Sequence, residues 1–135
     1  MTRGLRNRNP LNIRKDGKHW VGEKEPSLDK AFKQFLSMAY GYRAAFVNLA
    51  TYRERGYDTI EKIIGRWAPP NENNTENYIK HVEMWSGVPR NKKLLKSGSK
   101  EDYIKIVCAM SRVENGVPAV EKEVRDGFCL QKRLS

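Results

Sequence analysis

Three stretches of this sequence carry residue types that could do chemistry: "RGLRNRNPLNIR" at 3–14, "RWAPPNENNT" at 66–75 and "SRVENG" at 111–116. In the last of these, Glu114 closes a stretch that reads as helix. A helix C-terminus already carries partial negative charge. A carboxyl placed there and shielded by apolar neighbours holds its proton more tightly and can serve as a general acid. Glu114 is therefore the candidate for protonating a leaving-group oxygen, and Glu72, inside the second stretch, is the runner-up. The plainer alternative for Glu114 is a surface glutamate ahead of the Asn115-Gly116 helix stop.

The second stretch puts an arginine, an indole, two prolines and several amides into one connection. Pro69 and Pro70 end the preceding helix, because neither can donate to the helical ladder and each restricts the residue before it. Asn73, Asn74 and Thr75 offer caps for the next helix. The remaining groups suit a hydroxyl-rich ligand: Asn73 and Asn74 can both donate and accept, while Trp67 supplies a stacking wall. A tightly bonded loop with Arg66 paired to Glu72 accounts for the same residues. In the first stretch Asn7, Asn9 and Asn12 alternate with Arg6, Arg8 and Arg14 around Pro10. These groups can hold a sugar amide or a phosphate, or they can form a self-bonded clamp on the protein's own turns.

The elements that must position these groups read as mostly helical. Asp16-Gly17 marks a hairpin over about residues 12–22, and "KAFKQF" offers a third strand, though the spacing of Phe32 and Phe35 also fits a helix. Helical spacing then runs through Met38, Tyr42, Ala45, Phe46, Leu49 and Tyr52, from Ser37 to a stop at Gly56. A short helix follows Asp58 or Thr59, with Ile60, Ile63, Ile64 and Trp67 on one face. Another runs from Thr75 to Gly87, with Tyr78, Ile79, Val82 and Trp85 as its apolar stripe. The fourth begins at Ser99, where Asp102 suggests a capping arrangement, and ends at Gly116. Pro118 starts the last, which Gly127 stops. The predicted architecture is α+β and predominantly helical: five helices with a small N-terminal β-hairpin, in one domain spanning 1–135.

Composition narrows the function classes. The 135 residues are 39% hydrophobic, enough for one modest core. No apolar run is long enough to span a bilayer. The charged N-terminus lacks the apolar segment of a secretory signal, which implies synthesis in the cytoplasm. Cys108 and Cys129 do not imply a disulfide and lack metal-ligand spacing, and His19 and His81 have no companion motif. No metal and no cofactor is expected. The formal charge of +10 favours an anionic partner such as nucleic acid, an acidic membrane surface or a cell wall. Nucleic acid ranks last for function, since no reading helix or aromatic RNA-binding motif is visible.

The succession of "RGLRNRNPLNIR", Trp20 and Gly22, Phe32 and Phe35, "GYRA" at 41–44, "RWAPPNENNT" and "ENG" resembles a bacteriophage and prophage family. Its members are often labelled virion structural or lysozyme-like proteins. The chain departs from the family pattern with Arg8 in place of an asparagine, Leu11 in place of a glycine, and Val117-Pro118-Ala119 after "ENG". The resemblance implies a lysozyme-like fold and a role on peptidoglycan glycan strands, with virion association and other virion proteins as partners. "VENG" is similar to the helix-ending Glu-Ser-Gly of lytic transglycosylases, in which one glutamate suffices because the substrate's N-acetyl group replaces a second carboxylate. A two-carboxylate mechanism would instead draw on Asp16, Glu23, Glu25 or Asp29. In the usual lysozyme-like order the acid helix precedes the hairpin, so Glu114 requires a permuted arrangement. The leading expectation is a protein that cleaves or binds the MurNAc–GlcNAc backbone, with a non-catalytic virion component as the alternative.

Overall fold

A computed structural model describes residues 1–70 and 74–135. The described residues contain six helices: α1 (Arg3–Arg6), α2 (Met38–Glu54), α3 (Ile60–Trp67), α4 (Thr75–Ser86), α5 (Lys100–Asn115) and α6 (Glu121–Cys129). The five long segments of helical spacing all fold as helices. The additional one, α1, is a single turn whose cap Thr2 accepts from the Leu5 amide at 3.3 Å.

Local signals explain most of the ends. Ser37, Thr59 and Asn74 cap α2, α3 and α4 by accepting from Tyr40, Lys62 and Asn77 amides. Gly87 and Gly116 end α4 and α5 in the left-handed conformation, both at φ 72°. Three sequence-based expectations fail; one is the stop at Gly127, which lies inside α6, whose cap is Leu130. Ser99 makes no cap hydrogen bond to α5, because its hydroxyl donates back to the Leu95 carbonyl at 2.9 Å. Pro118 lies before α6 rather than in its first turn; the cap is Val120 and the helix begins at Glu121.

The core is built by the apolar faces of these helices. Phe46, Leu49, Ile60, Ile63, Ile64, Val82, Ile104, Val107 and Met110 are fully buried within one cluster. α2 and α6 pack closest at Gly127, where a Cβ would come within 2.6 Å of Tyr42 Cβ and 2.7 Å of the Ala39 carbonyl. Trp85 does not join the core as its spacing predicts. It lies over a third exposed, between His81 and the Arg112 guanidinium, which sits 4.1 Å from its ring centroid.

The N-terminal third differs most from expectation. Among the described residues the only β pairing is two isolated antiparallel bridges, Arg14–Phe32 and Glu23–Phe35, and no hairpin forms about Asp16-Gly17. The "KAFKQF" segment is instead the middle of three short extended pieces. Lys15 N donates to Ala31 O and Lys33 N to Ile13 O on one side; Lys24 N donates to Gln34 O and Leu36 N to Gly22 O on the other.

The physical reason lies in Lys33, whose side chain is 2% exposed. Its ammonium reaches Glu23 Oε1 at 2.8 Å, Asp16 Oδ1 at 2.9 Å and the Lys18 carbonyl at 2.7 Å. Segments 16–18 and 23 therefore wrap a side chain rather than pair with each other. Burial opposes charge on all three side chains, and their mutual hydrogen bonds outweigh it: Lys33 stays above its ordinary value, Asp16 and Glu23 below theirs. A small apolar patch of Ile13, Phe35 and Ala44, with Trp20, Tyr40 and Trp67 against it, joins this region to α2 and α3.

The arm before it is held by one buried amide. Asn9 is 0% exposed; its Nδ2 donates to the Ile13 and Lys33 carbonyls and its Oδ1 accepts from Ile13 N, all at 2.9 Å. Asn9→Ala leaves the Ile13 amide and the Lys33 carbonyl unpaired, while the Ile13 carbonyl keeps its bond from Lys33 N, so it should lower stability by about 2–4 kcal/mol. Urea denaturation measures this, and a loss below about 1 kcal/mol would contradict the role given to Asn9.

Candidate functional site

Glu114 lies in the last turn of α5, half-buried, with both oxygens engaged. Asn12 Nδ2 donates to Oε1 at 2.9 Å and the Tyr78 hydroxyl donates to Oε2 at 2.9 Å. Three separate pieces of chain thus converge on one carboxylate: the N-terminal arm, α4 and α5. Tyr78 is held well above the ordinary phenol range, first by burial and then by the negative charge and hydrogen bond of Glu114.

A cleft of about 370 Å³ opens beside Glu114, lined by Leu11, Asn12, Arg14, Phe32, Trp67 and Ala68. Arg14 is exposed and stands over the Phe32 ring, 5.0 Å from its centroid. Trp67, the last residue of α3, is half-buried and backed by Tyr52 at 6.0 Å between ring centroids. The cleft has the size of a small-ligand pocket and offers an amide, a guanidinium, two aromatic rings and a carboxylate. Among the described residues, Glu114 is the one carboxylate that lines it.

Of the residues singled out by sequence, Asn12, Arg14, Trp67 and Glu114 meet here. Asn7 and Asn9 do not line this cleft; both are buried and bonded inside the fold. Asn7 donates to Asp29 Oδ2 at 2.9 Å and accepts from Gln34 Nε2 at 3.0 Å. Asn74 spends its Oδ1 on capping α4 and lines a different cleft with Pro70, Thr75, Glu76 and Ile79. Glu72 and Asn73 lie outside the described residues, and so does the proposed Arg66–Glu72 pair. Arg66 itself sits 6.0 Å from the Tyr57 ring centroid.

The carboxylates considered as second partners are placed elsewhere. Asp16 and Glu23 bind Lys33, Glu25 lies 3.2 Å from His19 Nδ1, and Asp29 accepts two hydrogen bonds from Arg3 at 2.7 Å each. Sequence reasoning missed Tyr78 and Asn115. Tyr78 reads as one more apolar residue of the α4 stripe. Asn115 reads as part of a helix stop, yet it is buried: it accepts from the Thr2 hydroxyl at 2.7 Å and donates to Pro10 O at 2.8 Å and Ser111 O at 2.9 Å. The "ENG" sequence therefore uses Glu114 and Asn115 side by side to grip the arm. Gly4 is required by the same contact, since a Cβ there would lie 2.9 Å from both Asn12 Oδ1 and Asn9 O.

Such an arrangement defines a small, basic, helix-rich protein whose N-terminal arm is clamped across the end of α5, with a polar cleft beside the clamp. The chain matches no protein-family model. It is 45% identical over 131 residues to Protein P5 of Pseudoalteromonas phage PM2, an alignment covering 93% of this chain and 79% of the phage protein. The chain belongs to the same family as that phage protein. Among the described residues no helix is long and apolar enough to cross a membrane.

The arm's ion pair gives a pH test. Arg3 and then Asn7 hold the Asp29 carboxyl far below the usual carboxylate range. A depressed folded-state value contributes stability that is present above the unfolded value, about 3.9, and lost as pH falls toward the folded one. Asp29→Asn should therefore be less stable than wild type at pH 7, and the difference should shrink as pH drops from about 5 to about 2. Denaturant titrations across that range measure it; a constant difference would rule out the carboxylate's charge as the cause.

Proposed function

We propose that this protein is a non-catalytic component of a phage particle, and that its polar motifs serve chiefly to fix a rigid shape for assembly with other virion proteins. The observation that carries this reading is the kinship with a phage protein along nearly the whole chain. The fate of the amide clusters supports it. Asn7, Asn9 and Asn115 are consumed by internal hydrogen bonds, and Glu114 has both oxygens occupied by Asn12 and Tyr78. Residues in a site that turns over substrate need groups free to exchange protons.

A second reading keeps the glycan. The cleft beside Glu114 gathers Asn12, Arg14, Trp67 and Phe32, a set suited to a sugar with a carboxylate or N-acetyl group. On that reading residues 1–135 form one lysozyme-like domain that binds or cleaves the MurNAc–GlcNAc backbone. Glu114 acts as general acid, Glu72 as its runner-up, and Asn7, Asn9, Asn12, Arg14, Trp67, Asn73 and Asn74 as the surrounding polar surface. Catalysis would require the substrate to displace Asn12 or Tyr78 from Glu114.

Two measurements separate the readings. In particles assembled by the phage or prophage that carries this gene, antibody against the chain should co-sediment with the capsid. Purified protein incubated with purified peptidoglycan should release no soluble muropeptides, and Glu114→Gln should behave identically. Release by wild type that falls 10²–10⁴-fold in Glu114→Gln, roughly the contribution of a general acid, would replace the structural reading with the catalytic one.

A further inference from the structure

We propose that His19, Glu23 and Glu25 form a binding site for a divalent cation of the zinc class on the N-terminal face, away from the Glu114 cleft. Spacing in sequence gives no hint of it, since His19 and Glu25 lie on irregular chain either side of the bridged residue Glu23. The fold brings one ligand atom from each within 4.8 Å of the other two. They line a separate cleft of about 340 Å³, together with Lys15, Gly17, Lys18, Pro26, Ser27 and Lys33.

The geometry is close to what a small cation needs. His19 Nδ1 and Glu25 Oε1 are 3.2 Å apart. Zinc bonds of about 2.0 Å in tetrahedral geometry set ligand atoms roughly 3.3 Å from one another, so this edge is already formed. Glu23 is the anchored member. Its side chain is 4% exposed, and its Oε1 is fixed by the Trp20 amide at 3.0 Å and by Lys33 Nζ at 2.8 Å. Such hydrogen bonds orient a ligating carboxylate in the way outer partners orient metal ligands. His19 and Glu25 are more than half exposed, so they can turn inward by the small distance that remains.

Charge and ligand chemistry select the cation. Two carboxylates side by side repel each other, and the ammonium of Lys33 is already shared between Glu23 and Asp16. A dication between Glu23, Glu25 and His19 relieves that repulsion. An imidazole nitrogen among the ligands favours Zn²⁺ and its first-row neighbours over Mg²⁺ and Ca²⁺, which take oxygen ligands. Lys15 and Lys18 in the lining, and the Lys33 ammonium 2.8 Å from Glu23 Oε1, oppose cation entry and set the affinity below that of a buried structural zinc site. Binding would link residues 19 and 25 in a region that has two isolated bridges as its only β pairing among the described residues.

Calorimetric titration of the full chain with ZnCl₂ tests the proposal, with MgCl₂ and CaCl₂ as comparisons. Wild type should bind Zn²⁺ at one site per chain, and His19→Ala and Glu25→Gln should each weaken that binding by at least about 10–100-fold, the range for losing a residue that only supports a ligand. Both residues are exposed, so neither variant should fail to fold, which thermal melts without metal check. His81→Ala, at the other exposed histidine, should bind as wild type does. Absence of one-site binding, unchanged affinity in His19→Ala, or preference for Mg²⁺ or Ca²⁺ would each overturn the assignment.

Discussion

The docking of the N-terminal arm onto the end of α5 is the constraint on which the rest of this structure depends. The arm carries little apolar surface, so it cannot be held by burial alone. It is held by directed bonds: Thr2 donates to Asn115, Asn115 donates to the Pro10 carbonyl, and Asn12 donates to Glu114. Asn9 then links the arm to the extended segment at Lys33. Each of these is an amide or carboxylate in a site that excludes most water, where a satisfied polar group specifies one arrangement and an unsatisfied one is costly. Close approach is what makes them possible. Gly4 lets the arm lie against Asn115, and Gly41 lets α2 approach the Arg8 carbonyl, which a Cβ would meet at 2.3 Å. The backbone bends sharply between these points, with Arg8 at φ 51° and Asn12 at φ 55°. Asn12 adopts that conformation at modest cost, whereas an arginine there is unusual; the Arg8 guanidinium makes a compensating bond to the Leu36 carbonyl at 2.8 Å.

The helices were legible because their signals are local. Periodicity, caps and glycine stops located α2 through α6 to within a few residues, and the errors came at Ser99, whose hydroxyl had a competing partner, at Pro118, which precedes the helix, and at Gly127, which serves close packing on α2 inside α6. The N-terminal third was not legible, because its organiser is a single buried lysine whose partners lie 10 to 17 residues away. Asp16-Gly17 is a turn signal for adjacent strands, and nothing in its sequence indicates that Asp16 is needed by Lys33. The polar motifs were legible as polar motifs, but their use was not. An amide placed to bind a sugar and an amide placed to bind the backbone have the same sequence appearance. Only their burial separates Asn7 and Asn9 from Asn12.

The N-terminal third is too poor in apolar residues to be held by a core of its own. It is ordered by a buried Lys33–Glu23 pair with the exposed Asp16 at its edge, and replacing such a buried pair with hydrophobic residues is often neutral or stabilising. A cluster of this kind is better suited to fixing one arrangement among several than to adding net stability. Here it forces segment 31–36 between 13–15 and 22–24, which sets the position of Phe32 and, through it, of Arg14.

The Glu114 cleft follows from this construction. Its walls are contributed by the arm, the middle extended segment, the end of α3 and, through Glu114, the end of α5, four elements that meet because the clamp and the lysine hub bring them together. Leu11 seals its floor with a buried side chain, and Trp67 closes one side with a ring already packed on Tyr52. A cleft whose every wall is needed for the fold is rigid, which favours recognition of a fixed shape over chemistry that needs a mobile acid. Glu114 illustrates the tension. Its position at a helix end suits a proton donor, but the bonds from Asn12 and Tyr78 tie it into the architecture. Replacing it removes a charge from the cleft and a joint from the fold together.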